Sequence, residues 1–304
     1  MGKERNAALA LAATTFVWGS TFIVIRDLVA DERGQGIPPL LLVSTRFAIA
    51  TLATLAALLA TGAKMEREAW RRGIVLGLVT AGGFAFQSLG LRFTTPSRSA
   101  FITNISLLMV PVFGMALGRK RPGAAVWLGS LVALGGLWLL EFPWDRIADA
   151  QGDAARQATY LRGDILTLGC ATFFALQILA TEAFSPKTQL LPLAFAQFLT
   201  CGVVTGLVGL SLGEAGRIAM PTQDLLGRCV AEILYLGFVA TTGCLLVQVW
   251  AQRHISATRA ALIFMLETVF AALLAYLLFG ERLTGVQWGG AVLVFLGVLA
   301  AELI

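Results

Sequence analysis

The apolar residues of this chain are gathered into ten stretches, near 7–27, 39–60, 73–92, 98–118, 124–142, 162–182, 190–212, 232–252, 257–279 and 285–303. Each approaches or exceeds the roughly twenty residues that a helix needs to cross the hydrocarbon core of a bilayer. The runs are continuous, whereas barrel strands are shorter and alternate polar with apolar residues. A mean hydropathy of +0.79, with 57% hydrophobic and 13% charged residues, leaves too little polar surface for a soluble domain. The predicted class is therefore an all-α integral membrane protein with ten transmembrane helices. The longer connections, near 143–161 and 213–231, are too short to hold a soluble catalytic domain.

The ten stretches divide into two similar sets of five, 1–145 and 158–304. A shift of 161 positions places Gln87 on Gln248, Arg98 on Arg259, Trp127 on Trp288, Gly129 on Gly290 and Gly136 on Gly297. Earlier helices align at slightly smaller shifts, Phe16 on Phe173 and Pro39 on Pro192, and Gln177 falls near Ser20. An odd number of spans per unit inserts the second unit upside down. Inverted repeats of this kind supply two related conformations, each open to one side, with a binding site at the midplane. The expectation is a carrier that works by alternating access.

Lysine and arginine set the orientation, because short loops rich in them stay on the cytoplasmic side. Lys3, Arg5, Lys64, Arg67, Arg71, Arg72, Arg119, Lys120 and Arg121 fall at the amino terminus and in alternate loops, against Arg33, Arg92 and Arg98 between them. The second half is less polarised, with Lys187, Arg253 and Arg259 on one side and Arg217, Arg228 and Arg282 on the other. Both termini are expected in the cytoplasm, with the chain multi-pass in a plasma membrane of the bacterial inner-membrane kind. Basic residues dispersed over loop ends do not form the clustered surface that nucleic acid requires. No cleavage site separates the first apolar stretch from the loop after it, so that stretch is expected to remain as a helix. Cys170, Cys201, Cys229 and Cys244 have neither metal-ligand nor disulfide spacing and are expected as free thiols; no cofactor is expected.

Trp18-Gly-Ser-Thr-Phe, Arg46 in the second span, Gln87-Ser-Leu-Gly-Leu-Arg-Phe-Thr-Thr with Ser99-Ala-Phe-Ile-Thr, and the stretch from Leu266-Glu-Thr to Gly-Glu281-Arg-Leu-Thr284 together resemble the EamA-type branch of the drug/metabolite transporter superfamily. Thr268 stands where that family often carries proline. The resemblance covers essentially the whole chain. It implies ten helices, export of amino acids or other small metabolites, and a central cavity lined mainly by helices 1, 3, 4, 6, 8 and 9.

Intramembrane polar residues are costly and usually face protein or a water-filled cavity. Glu267, in the middle of the ninth span, is the sharpest candidate, either as a proton carrier and partner for a substrate ammonium or as a tie between helices. Gln87 and Gln248 occupy matching places, and Thr241, Cys244, Gln248 and Gln252 repeat at helical spacing, as a cavity lining or as interhelical glue. Asn104, with Ser106, and Gln177 carry similar polarity towards the same presumed cavity. Trp18 offers a flat ring to close over a substrate or to fill the core. Arg46, one or two turns inside the second helix, could bind a carboxylate, and is expected rather to snorkel to the interface or to pair with a nearby acid. His254 is expected as a solvated helix-end residue, and Glu281 with Arg282 as capping groups.

Glycines four apart, Gly114 with Gly118, Gly202 with Gly206 and Gly285 with Gly289, mark close helix approaches. The fifth and tenth spans carry almost no polarity and are expected outside the cavity, as a scaffold or a surface for a homodimer. The partners expected are the lipid bilayer and a small-molecule substrate. No phosphate-binding Gly-x-x-x-x-Gly-Lys-Ser/Thr loop is present. The alternative, a polytopic enzyme acting on a lipid-linked substrate, calls for clustered acids or histidines at one membrane face, and the sequence offers none.

Overall fold

Helices follow the apolar stretches closely. The computed structural model describes residues 2–28, 37–94, 96–119, 121–141, 154–214, 223–279 and 283–302. Arg33, Lys120, Arg217, Glu281 and Arg282, and the side chains of Arg98 and Arg228, lie outside the described residues. The first repeat comprises α1 (Gly2–Leu28), α2 (Pro39–Thr61), α3 (Arg67–Gly90), α4 (Pro96–Asn104) with α5 (Ser106–Ala116), and α6 (Ala124–Glu141). The second comprises α7 (Ala154–Phe184), α8 (Leu190–Ser211), α9 (Gln223–Leu234) leading through a π-helical turn at Tyr235–Gly243 into α10 (Cys244–Ala251), then α11 (Ala257–Phe264) with α12 (Leu266–Phe279), and α13 (Gly285–Glu302). Among the described residues, eight helical segments are long and apolar enough to cross a membrane, α13 contributes a shorter apolar one, and α1 is 27 residues long. Residues such as Leu59, Leu117, Leu128 and Leu278 are largely exposed, which leaves an apolar outer surface for lipid.

Local chemistry sets several boundaries. Proline at the start of α2 costs no helix hydrogen bond, and Gly62 ends that helix in the left-handed region at φ 64°. The Ser256 side chain caps α11 by accepting from the Arg259 amide at 3.3 Å.

Three spans expected as continuous helices are interrupted. The fourth breaks at Ile105 and the ninth at Met265; each break residue bonds three residues back, Ile105 N to Ile102 O and Met265 N to Leu262 O, both at 3.1 Å. Positions 105 and 265 lie 160 apart, within one residue of the repeat shift, so the two interruptions are equivalent. Pro111, one turn and a half beyond the first, weakens that helix further by lacking an N–H. The eighth span is interrupted by its π-helical turn.

The repeats meet most closely along α6 and α13. A Cβ on Gly129 would come within 2.6 Å of the Gly297 carbonyl, and one on Gly136 within 2.6 Å of the Gly290 carbonyl; the reciprocal contacts are identical. Because Gly129 and Gly136 align with Gly290 and Gly297, this pattern is that of an antiparallel pair related by a two-fold axis. The four-residue spacings behave differently. Gly202 and Gly206 do meet Phe47 and Ser44 of α2, but Gly285 and Gly289 face open space.

Gly290→Leu should therefore force α6 and α13 apart and cost on the order of 1–3 kcal/mol by overpacking, whereas Gly289→Leu, one residue away, should leave stability unchanged. Thermal melting of the two variants in detergent, followed by size-exclusion fluorescence, checks the contrast.

Candidate functional site

The π-helical turn of the eighth span organises the interior. Thr242 donates its hydroxyl to the Gly237 carbonyl five residues back, at 2.7 Å. Wider winding takes backbone groups out of the regular ladder and offers them to neighbours. The Ala240 carbonyl accepts the Trp18 indole N–H at 2.9 Å, and the Thr241 hydroxyl accepts from Arg46 Nε at 3.1 Å. Two consecutive residues thus anchor side chains from α1 and α2. Trp18 also packs on Phe264, with ring centroids 5.4 Å apart, so its ring fills the core between α1, α10 and α11.

Arg46 does not snorkel. It is 7% exposed and sits among Cys201, Cys244 and Glu267, which interact with it electrostatically. Glu267 faces it across the interior without a direct ion pair. Snorkelling is excluded by position, since Arg46 lies at the eighth residue of α2, on a face covered by α8 and the π-helical turn.

Glu267 falls in the first turn of α12, just past the Met265 break, rather than inside an unbroken helix. The partial positive charge of a helix start favours an acidic group there. The carboxyl is half-buried. Gly19 brings α1 against this turn: a Cβ there would lie 2.9 Å from both the Glu267 carbonyl and the Ala271 amide nitrogen. Asn104 ends α4 at the equivalent break, and its amide donates to the Ala100 carbonyl at 3.1 Å and to the Thr268 hydroxyl at 3.3 Å. The two broken helices are therefore tied to each other at their breaks. Glu141, the last residue of α6, lies within electrostatic reach of Thr268 and Glu267, and its Oε2 is shut off from solvent with no hydrogen-bond partner. The fifth span is thus less bare of polarity than expected, because its final residue turns a carboxyl towards the cluster.

The glutamines divide. Gln248 donates to Gln177 Oε1 at 3.3 Å and to Gln252 Oε1 at 3.1 Å; Gln177 donates to Thr181 at 3.2 Å, and Gln252 to the Ile178 carbonyl at 2.9 Å. All three are buried, and they clamp α10 to α7. Gln87 is half-buried on α3 and takes no part in this network. The polar stripe of the eighth span accordingly serves two purposes, with Thr241 at the charges, Gln248 about 10 Å and Gln252 about 16 Å along the helix from it, taking 1.5 Å per residue.

Beyond Gln252, on the face where α1 begins, an open vestibule of about 860 Å³ lies between the repeats. Arg119, Arg121, Lys187, Arg253, His254 and Arg259 line it, with Glu182 as the acidic member. Arg119 pairs with Glu182, and Arg259 lies 3.9 Å from Glu4. His254 stays at the helix end, its Nδ1 3.1 Å from the Trp250 carbonyl. Cys170, Cys201 and Cys244 are buried free thiols and Cys229 is partly buried. Among the described residues no group of three or more His, Cys, Asp or Glu side chains is placed to hold a metal ion.

A model of the EamA-like transporter family matches residues 5–142 and 161–302. The chain belongs to this family. Similar proteins include an uncharacterized transporter of Archaeoglobus fulgidus, 27% identical over 99% of this chain and 87% of the relative. The inner membrane transporter YedA of Escherichia coli is 25% identical over 92% of this chain and 85% of its own. A probable amino-acid metabolite efflux pump of Salmonella typhimurium is 26% identical over 97% and 94%. A solved crystal structure superposes with a TM-score of 0.79 over 98% of this chain and 97% of that one, at 18% identity, which establishes the shared fold. This EamA-like chain is thus a multi-pass membrane protein of a transporter family, and its two matched segments carry the equivalent helix breaks at Ile105 and Met265.

The glutamine clamp has a measurable weight. Interhelical hydrogen bonds in membranes average about 0.6 kcal/mol each, so Gln248→Leu, which removes two donors to neighbouring glutamines, should destabilise by roughly 1 kcal/mol. Gln87→Leu should cost less, and melting curves of the purified variants compare the two.

Proposed function

We propose that this protein is a secondary active carrier that exports small organic metabolites, amino acids foremost, by alternating access, with Glu267 coupling transport to protons. The observation that carries this reading is the pair Arg46 and Glu267. An isolated charge in the middle of a membrane helix costs about 2.5–3.5 kcal/mol on an insertion scale. Two opposite charges that face a common interior without touching are satisfied together by a molecule bearing both a carboxylate and an ammonium. Arg46 would take the carboxylate, since its Nε is held by Thr241 and the planar end of the guanidinium suits such an anion. Glu267 would take the ammonium or, with the site empty, a proton. The Salmonella relative, a probable amino-acid metabolite efflux pump, points to the same class of cargo.

The surroundings support a carrier. Asn104 and Glu267 sit at equivalent helix breaks, and discontinuous helices at a repeat interface are where secondary transporters bind their cargo. The basic vestibule fits a cytoplasmic face by the positive-inside rule, which puts both termini in the cytoplasm of a plasma membrane. Cargo would enter there, pass the glutamine clamp when it opens, reach Arg46 and Glu267, and leave on the other side. Gln87 and Trp18 belong to this reading as lining and support of the pathway.

Counterflow in proteoliposomes loaded with pooled amino acids, sugars or nucleosides tests the reading. Tracer accumulation with the amino-acid pool is the expected result, and accumulation only with sugars or nucleosides would overturn the cargo class. Glu267→Gln should abolish accumulation driven by a pH gradient while the protein still folds. If Glu267→Gln accumulates cargo with the wild-type pH dependence, the proton role is wrong. Arg46→Leu should weaken competition by amino acids at least tenfold relative to their descarboxy amines, equivalent to about 1.4 kcal/mol.

A further inference from the structure

Arg253, on the wall of the vestibule, carries a charge that no acid answers. Its Nη2 donates to the Thr188 carbonyl at 2.7 Å, a neutral acceptor, while its Nε is shut off from solvent with no hydrogen-bond partner. The neighbouring guanidiniums are better provided for. Arg119 pairs with Glu182 and Arg259 lies near Glu4, and Arg72, which also converges on Thr188, pairs with Glu68 at 2.9 Å. Among the described residues no acid pairs with Arg253 or with Lys187, which lines the vestibule with it. Ser185, in the turn that carries Lys187, also buries a hydroxyl without a partner. Buried donors are costly to leave unmet, and charged ones most of all.

The sequence repeat shows what belongs beside such an arginine. The shift of 161 positions that places Gln87 on Gln248 also places Arg92 on Arg253. At the opposite end of the bundle, Arg92 Nη2 lies 3.4 Å from Glu214 Oε1. The other oxygen of Glu214 accepts from the Leu40 and Leu41 amides at the start of α2, at 3.1 and 3.2 Å, and the residue is 1% exposed. Glu214 follows Gly213, whose left-handed φ of 72° closes α8 as the φ of 64° at Gly62 closes α2. The residue that follows Gly62 is Ala63. The second repeat thus supplies Arg92 with a carboxylate that the first repeat does not return to Arg253, and the end that lacks it is the one with the open vestibule.

We propose that Arg253 and Lys187 form a docking site for the carboxylate of a small molecule in the vestibule, which takes the place that Glu214 holds at the other end. As an entry station for cargo, the site rests on the export reading above. It is separate from Arg46, because the glutamine clamp stands between them. Gln252, the residue before Arg253, makes the clamp's bond to the Ile178 carbonyl, so a docked molecule waits at the gate. Opening of the clamp then lets the carboxylate pass from one guanidinium to the other. An amine without a carboxylate finds no partner at this station.

Arginine modification tests the site without cargo or gradient. Phenylglyoxal adds to accessible guanidinium groups, and peptide mass spectrometry of the full-length protein in neutral detergent reads labelling of Arg253, with Arg92 as internal reference. Acetate should slow labelling of Arg253 several-fold relative to chloride at equal ionic strength. Acetamide, neutral and of the same shape, should not, and Arg92, already paired with Glu214, should be indifferent to acetate. Lys187→Gln should weaken the acetate effect several-fold. Protection by inorganic phosphate but not by acetate would overturn the carboxylate class, and labelling of Arg253 that ignores both anions would overturn the site. In counterflow, Arg253→Gln should raise KM for amino acids offered on the vestibule side several-fold at unchanged kcat; an unchanged KM would overturn the entry role. Because labelling involves no transport, acetate protection in a protein that moves no cargo would refute the export reading alone, and absent protection in an active carrier would refute the docking site alone.

Discussion

A helix in hydrocarbon can be interrupted only where protein takes over the hydrogen bonds that lipid cannot supply. The breaks at Ile105 and Met265 satisfy this condition in equivalent ways, by tightening to bonds three residues back. The Asn104 amide then ties one break to the other through Thr268. This cross-tie links the two repeats at mid-membrane. It also fixes where chemistry resides, since Glu267 occupies the first turn after its break and profits from the positive end of α12. Gly19 is part of the same constraint, because any side chain there would collide with the backbone that carries Glu267.

The scaffold around this tie is symmetric where it is rigid and asymmetric where it is polar. Gly129, Gly136, Gly290 and Gly297 place backbone on backbone along α6 and α13, with each contact repeated by its symmetry mate. The π-helical turn at Tyr235–Gly243 has no such interruption in α3, the corresponding first-repeat helix. Arg46 and Trp18 reach that turn from α2 and α1. For the carrier proposed above, a two-fold frame with a one-sided set of side chains would give two related shapes around a single binding arrangement, which a perfectly duplicated site would lack.

Much of this was legible in the residues. Apolar run lengths place the helices, and the 161-position shift identifies the glycines that later prove to face each other. The glutamine stripe also points inward as its spacing requires. Less was legible at the breaks. Neither Ile105 nor Met265 is a helix breaker, so the interruptions arise from packing rather than from local propensity, and Pro111 is the single local hint. Of the fates expected of Arg46, the interface is ruled out by the threonine that receives it from a helix 195 residues away, whereas a nearby acid, Glu267, does interact with it. Glu141 escaped notice because its position at a helix end suggests solvent.

The distribution of strong and weak contacts follows from what must move. The charged centre uses interactions that are costly to leave unmet, whereas the barrier between it and the vestibule uses neutral amides, Gln177, Gln248 and Gln252, each bond worth only about 0.6 kcal/mol in a membrane. Several such bonds hold α10 to α7, and in the proposed carrier they would open at a cost of a few kcal/mol, within reach of the differential binding that shifts a two-state equilibrium. Had Gln248 been a charged residue paired across to α7, removal of its partner on opening would strand a buried charge at about 3–5 kcal/mol. In the proposed cycle, neutral glutamines at the gate and charges at the centre would let cargo binding, rather than gate opening, dominate the energetics.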